Sequence, residues 1–163
     1  MNECIREVTE QDVSDIQRIY NDYITDTIVT FETEPVTEEE MRRRILTISA
    51  HFPYLVYASD KEVLGYCYAH TWKARAAYHD TVETTVYLRS DCVGRGIGRA
   101  LMQALLNRLR EHSFHVAIAC ISYPNEASVR LHEQLGFKKV AHYSEVGRKF
   151  GRLLDVGDWQ LTL

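Results

Sequence analysis

An apolar, β-branched run ending at Leu88 is separated from a helical repeat by Val93-Gly94-Arg95-Gly96-Ile97-Gly98-Arg99-Ala100-Leu101. The repeat places Ile97, Leu101, Leu105 and Leu109 on one face, with Arg99, Arg108 and Arg110 on the others, so the glycines open directly into a helix. Glycine lets a backbone approach a ligand without a Cβ in the way, and the first N–H groups of a helix have no partner of their own. Strand, glycine turn and helix start together make an anion site in which the helix dipole adds about 0.3–1 kcal/mol. The spacing is GxGxG and lacks the Gly-Lys-Ser/Thr ending, so neither a P-loop nor a dinucleotide fingerprint is present. Taken by itself, the same turn would also serve simply to start a packed helix.

At 163 residues and 45% apolar content the chain is expected to form one domain, residues 1–163, around one core. Its formal net charge of -4, from 19 basic and 23 acidic residues, gives no global field for nucleic acid or an anionic membrane. Cys4, Cys67, Cys92 and Cys120 form no CxxC pair, and reduced cytoplasmic thiols explain them. The start Met1-Asn2-Glu3-Cys4 resembles no export signal, and 18 uninterrupted apolar residues occur nowhere. His112 and His115 stand three apart without a suitably spaced third ligand, so no metal is expected.

The remaining pattern alternates strands and helices. Cys4 to Val8 reads as a strand, and Thr9 with Asp12 caps a helix bearing Val13, Ile16, Ile19, Tyr20 and Tyr23, ending near Ile24. Ile28 to Phe31 reads as extended, and Thr37 with Glu40 forms a capping box for a helix to about Ser49. Tyr54 to Ser59 and Val63 to His70 make a hairpin around Asp60-Lys61, and Thr81 to Leu88 is a third strand of that group. After the glycine-led helix, Val116 to Ser122 is a strand, Ala127 to Leu135 a helix capped by Gly136, and Lys138 to Val146 and Leu153 to Leu163 are strands. The order β-α-α-β-β-β-α-β-α-β-β predicts an α+β fold: a mixed, mainly antiparallel central sheet flanked by helices.

Together with Pro124-Asn125-Glu126-Ala127-Ser128-Val129-Arg130-Leu131-His132-Glu133-Gln134-Leu135-Gly136-Phe137, the glycine loop resembles the acetyl-CoA site of the GNAT superfamily of N-acetyltransferases. Ile19 to Tyr23, Thr30 to Pro35, Thr81 to Leu88 and Asp155 to Gln160 look like the phosphinothricin and methionine sulfoximine/sulfone N-acetyltransferase branch, so the likeness spans nearly the whole chain. It implies the GNAT acyl-CoA N-acyltransferase fold and acetyl-CoA as cosubstrate. By that likeness Val86, Tyr87 and Leu88 hold the pantetheine arm, Gly94, Arg95, Gly96, Ile97, Gly98 and Arg99 cradle the pyrophosphate, and Asn125 and Ser128 line the far side. One departure is Val93, where the family usually has Gln or Arg three residues before the glycine at Gly96. A side-chain contact is lost or rearranged there, while the backbone donors remain.

Acetyl transfer to an amine needs a base for the ammonium, donors for the oxyanion and a proton for the departing thiolate. Glu83 stands within the β-branched strand, where burial would raise its pKa toward that of a useful base; strand alternation alone would equally face it to solvent. His132 stands where many GNAT enzymes carry a tyrosine and the phosphinothricin branch a histidine, which implies a general acid or a partner to Glu83; as a bare helix residue it would serve as a buried, hydrogen-bonded histidine. The backbone N–H of Tyr87 or Leu88 is the candidate oxyanion donor. No GxSxG elbow and no context marking Cys92 or Cys120 as a nucleophile is present, so direct transfer in a ternary complex is expected.

On the acceptor side the likeness points to Phe31, Glu32, Arg75 and Tyr78, with Lys149 and Trp159 weaker candidates. Arg75 lies in Trp72 to Asp80, which mixes aromatics with cations and could enclose a small zwitterion; the same segment reads equally as a solvated connection with Trp72 in the core. The expected acceptor is the primary amine of a small amino-acid-like molecule, with a homodimer carried over from the family. Another amine (a peptide N-terminus, a polyamine or an aminoglycoside) and a non-catalytic acyl-CoA-binding module remain open alternatives.

Overall fold

The computed structural model describes residues 2–60 and 62–163; Met1 of the amino-terminal segment and Lys61 of the Asp60-Lys61 turn lie outside the described residues. The strands are β1 (Cys4–Glu7), β2 (Tyr54–Ala58), β3 (Val63–Thr71), β4 (Thr81–Leu88), β5 (Val116–Ser122), β6 (Lys138–Lys149) and β7 (Arg152–Thr162). The helices are α1 (Val13–Asp26), α2 (Glu38–Ser49), α3 (Ile97–Glu111) and α4 (Glu126–Gln134), in the order read from the sequence. Among the described residues one seven-stranded sheet runs β1-β2-β3-β4-β5-β7-β6, with β4 and β5 parallel and the other neighbouring pairs antiparallel.

Two apolar layers cover the faces. Ile16, Ile19 and Ile24 of α1 and Met41 and Ile45 of α2 pack on Tyr54, Val56 and Tyr66, while Leu101, Met102, Leu105 and Leu109 of α3 pack on Leu55, Cys67, Val82 and Ala119. Strand period two sends alternate side chains of β2 to β5 into opposite layers. Hence Val82, Val86 and Leu88 face α3, and Tyr87 faces α1.

Local chemistry accounts for most boundaries. A single 3₁₀ turn, Glu10–Asp12, leads into α1, and Asp12 accepts from the Thr9 N–H (2.7 Å) and is held by Arg6 (2.7 and 2.8 Å). Thr37 accepts from the Glu40 N–H (3.1 Å), but Glu40 does not complete a capping box because its carboxylate pairs with Arg43 and Arg44. Ile28–Thr30, expected to be extended, forms a bend outside the sheet. Polar anchors from across the sheet hold it: Ser122 Oγ donates to the Ile28 carbonyl (2.8 Å) and buried Lys149 Nζ to the Thr30 carbonyl (2.8 Å). Strand β6 runs three residues past its expected end, β7 starts and ends one residue earlier than expected, and the two pair through two register shifts, with Glu145 in the left-handed region (φ 56°).

Candidate active site

The parallel ladder between β4 and β5 pairs only Thr81, Val82 and Glu83 with Val116, Ala117 and Ile118. Thr84 Oγ1 donates to the Ile118 carbonyl (3.3 Å) just beyond it, and past that contact the strands diverge. Two connected hollows occupy the gap, of about 810 and 1370 Å³ including their open mouths, with walls shared at Val29, Val86, Asn125 and Ser128. The inner hollow is lined by Glu83, His132 and Phe31, among others; the outer one by Leu88, Gly94, Gly96, Gly98 and Arg99.

Ladder alternation decides which β4 donors face the gap. Arg89 N–H donates to the Leu64 carbonyl (2.9 Å), and in an antiparallel pair the bonded positions alternate. Tyr87, opposite Tyr66, therefore spends its N–H and C=O on β3, whereas Val86 and Leu88 turn theirs toward β5. Leu88 is already engaged there: the Tyr23 hydroxyl donates to its carbonyl (2.8 Å) and lies 3.4 Å from its N–H. This corrects the expected oxyanion donor: the Tyr87 N–H points into the sheet, and Val86 presents its N–H to the gap.

At the outer end Gly94 (φ 83°) and Gly96 (φ 82°) adopt the left-handed region, and Gly96 caps α3. An L side chain there is strained by about 1–2 kcal/mol. A Cβ built on either meets nothing within 4 Å, so the need for glycine lies in the backbone conformation and in clear access to the helix start. At Gly98 the first turn of α3 packs on Leu88 and Leu131, which a Cβ would meet at ordinary contact distance (3.4 and 3.6 Å). Two of the loop residues expected to touch an anion do not offer side chains to it. Arg95 pairs with Glu3 (2.8 Å), and Ile97 is buried in the α3 core, which leaves that residue's backbone as its contribution. Asn125 caps α4 by accepting from the Ser128 N–H (3.2 Å).

At the inner end burial pushes the Glu83 carboxyl above the ordinary carboxylate range; nearby His70 opposes the shift and Asp158 adds to it. His132 is buried, and burial pushes its imidazole down, against a smaller opposing effect of its bond to Ser128. Its Nδ1 lies 2.8 Å from the Ser128 carbonyl, an atom that only accepts, so Nδ1 carries the proton and the neutral ring keeps a lone pair on Nε2. The Cys120 thiol on the same wall is pushed up to about 12, by burial and then by Glu83 and Asp158, which leaves it a poor nucleophile near neutrality.

The acceptor-side expectations divide. Phe31 lines the inner hollow, and β6 passes so close to its ring that no Cβ would fit at Gly147. Glu32 is not free for a ligand: Arg44 grips it through two bonds (2.8 and 2.7 Å), the Tyr20 hydroxyl also donates to it, and Arg44 first among these holds its carboxyl below the usual range. Arg75 and Tyr78 line neither hollow; Arg75 is exposed, and Tyr78 packs edge-on against Trp72. Lys149 acts on the site indirectly, through the bend it holds, and Trp159 is a core residue that donates to Glu133 (3.2 Å). His112 Nδ1 lies 2.8 Å from the Arg108 carbonyl at the end of α3. Among the described residues no group of three or more His, Cys, Asp or Glu stands together as a metal site would require.

Sequence reasoning missed Tyr23, Ser122 and His70. Tyr23 was visible as part of the α1 apolar stripe and of the Ile19 to Tyr23 segment but with no role of its own, Ser122 only as the last residue of a strand, and His70 only as the end of a hairpin arm; each gains meaning from a partner far away in the chain.

Residues 5–156 match the family described as Acetyltransferase (GNAT) domain. The phosphinothricin N-acetyltransferase of Streptomyces coelicolor is 42% identical over 163 residues, covering 98% of this chain and 95% of that protein. The L-methionine sulfoximine/L-methionine sulfone acetyltransferase of Pseudomonas aeruginosa is 39% identical, covering 100% and 96%. Among solved structures, the GNAT superfamily phosphinothricin acetyltransferase of Sinorhizobium meliloti in complex with AcCoA superposes with a TM-score of 0.96 at 34% identity, over 100% of this chain and 89% of that one.

Proposed function

This chain belongs to the GNAT N-acetyltransferases, and from that premise we propose that it transfers the acetyl group of acetyl-CoA directly to the primary amine of a small amino-acid-like acceptor of the phosphinothricin, methionine sulfoximine or methionine sulfone type. The observation that carries the proposal is the divergence of β4 from β5 immediately after Glu83. It joins the glycine loop to Glu83 and His132 through one continuous gap.

In this reading Gly94, Gly96, Gly98 and the free N–H groups at the start of α3 hold the diphosphate, with Arg99 beside them. Val86 offers its C=O to the cofactor arm and its N–H to the acyl oxygen, and Asn125 and Ser128 close the opposite wall. Acetyl-CoA supplies an acyl group on a good leaving thiolate. Glu83 takes the first proton from the acceptor ammonium, freeing the nitrogen lone pair for attack. Neutral His132 takes the second proton from that nitrogen on Nε2 as the C–N bond forms, and returns it to sulfur as the C–S bond breaks. The neutral Cys120 thiol supports direct transfer over an acetyl-enzyme.

Phe31 walls the acceptor half, and Glu83 with nearby Asp158 favours a cationic amine there. Arg75 and Tyr78 sit in the loop that leads into β4 and are proposed to meet the acceptor's anionic group at the mouth of the gap or across a dimer. Thiol release from acetyl-CoA is expected with all three acceptor types and not with spermidine or an aminoglycoside. The same rate across that whole panel would contradict the acceptor class.

We further propose that the whole chain acts as one domain in the cytoplasm, as a homodimer built on the β6–β7 hairpin. Five of the eight large apolar side chains exposed among the described residues, Val140, Tyr143, Val146, Phe150 and Leu153, belong to that hairpin. No described helix is long and apolar enough to cross a membrane. Sedimentation velocity should report a dimer that Val146→Asp converts to monomer; a wild-type monomer at micromolar concentration would contradict it.

A further inference from the structure

His70 of β3 stands opposite Glu83 in the strand register, and its Nε2 lies 3.7 Å from Glu83 Oε1. Its other ring nitrogen, Nδ1, lies 3.0 Å from the Thr71 carbonyl oxygen. A carbonyl only accepts, so Nδ1 carries a proton, and whenever the ring holds a single proton Nε2 turns a lone pair toward the carboxylate. Two acceptors facing each other at this range repel, and one proton between them turns repulsion into attraction. The two side chains are similarly exposed, 34% for His70 and 29% for Glu83, but Glu83 lines the inner hollow and His70 lines neither hollow.

The other ionisable groups around Glu83 serve less well as proton acceptors. Tyr68 of β3 and Cys120 of β5 are held neutral, chiefly by burial. Asp158 of β7 is a carboxylate, an intrinsically weaker base than imidazole.

We propose that His70 is the proton acceptor behind Glu83, forming a dyad that carries the ammonium proton from the cleft to bulk water. This rests on Glu83 being the general base. The acceptor N–H bond breaks with its electron pair left on nitrogen, the proton passes to the Glu83 carboxylate and then to Nε2 of His70, and the imidazolium releases a proton to solvent. The 3.7 Å separation shortens to contact by a small side-chain rotation, as unliganded sites commonly require.

The test uses the full chain with acetyl-CoA and an accepted amine, comparing His70→Gln, Glu83→Gln and the double variant. His70→Gln is expected to lower kcat near neutrality by about tenfold, to move the acid limb of kcat/KM to higher pH because the group that opposes the rise of the Glu83 carboxyl is gone, and to leave the Kd for acetyl-CoA unchanged. Added imidazole should restore rate to His70→Gln and not to Glu83→Gln, and the double variant should match Glu83→Gln alone. If Glu83→Gln abolishes turnover while His70→Gln neither moves the acid limb nor responds to imidazole, the relay is overturned and the base assignment stands. A Glu83→Gln enzyme with wild-type turnover would remove the base, and the relay with it.

Discussion

Glu83→Gln is expected to lower kcat by about a hundred- to ten-thousand-fold with an accepted amine, while the Kd for acetyl-CoA stays at the wild-type value. Glutamine keeps the shape of the side chain at the apex where β4 leaves β5, but it cannot take a proton. In the wild type, burial first and Asp158 second lift the carboxyl, so the acid limb of kcat/KM should lie above the usual carboxylate range. The sign of the linked stability follows. A carboxyl whose folded pKa is raised binds its proton more tightly in the folded chain, so stability falls as pH rises from the unfolded value through the folded one. Glu83→Gln should therefore melt no lower than wild type at neutral pH. Stopped kinetics with intact cofactor binding would support the assignment; undiminished turnover would contradict it.

The fold was legible wherever local chemistry decided it. The α1 stripe, the Thr37 cap and the glycine entry to α3 each appear in the structure at or within a few residues of the expected place. The Ile28–Thr30 bend was not, because its β-branched composition suits a strand, whereas its conformation is held by Ser122 and Lys149, 94 and 119 residues away. The site shows the same division. The glycine loop announced itself through spacing, but spacing could not reveal that Arg95 and Glu32 are taken up by Glu3 and Arg44, since those ion pairs depend on how the amino-terminal segment meets the loop before α3 and how the segment after α1 meets α2. Nor could it tell which β4 residue offers its N–H to the gap, a matter settled by ladder register.

Gly96→Val is expected to weaken acetyl-CoA binding by about 10- to 100-fold, equivalent to about 1.4–2.8 kcal/mol. Gly96 holds φ 82° at the cap of α3, a conformation a β-branched residue resists. Relaxing it turns the first N–H groups of the helix away from the diphosphate. The space around the missing Cβ is open, so the variant is expected to fold, with loss confined to the loop and the ligand it holds.

The most direct measurement is a calorimetric titration of wild type and Gly96→Val with acetyl-CoA and, in parallel, with S-acetylpantetheine, which has the thioester arm but no diphosphate. A gap that grips the diphosphate at Gly94–Arg99 predicts strong binding of acetyl-CoA by wild type, a marked loss in Gly96→Val, and weak binding of S-acetylpantetheine that the substitution hardly changes. Equal affinity of wild type for the two ligands, or no heat with acetyl-CoA, would contradict it.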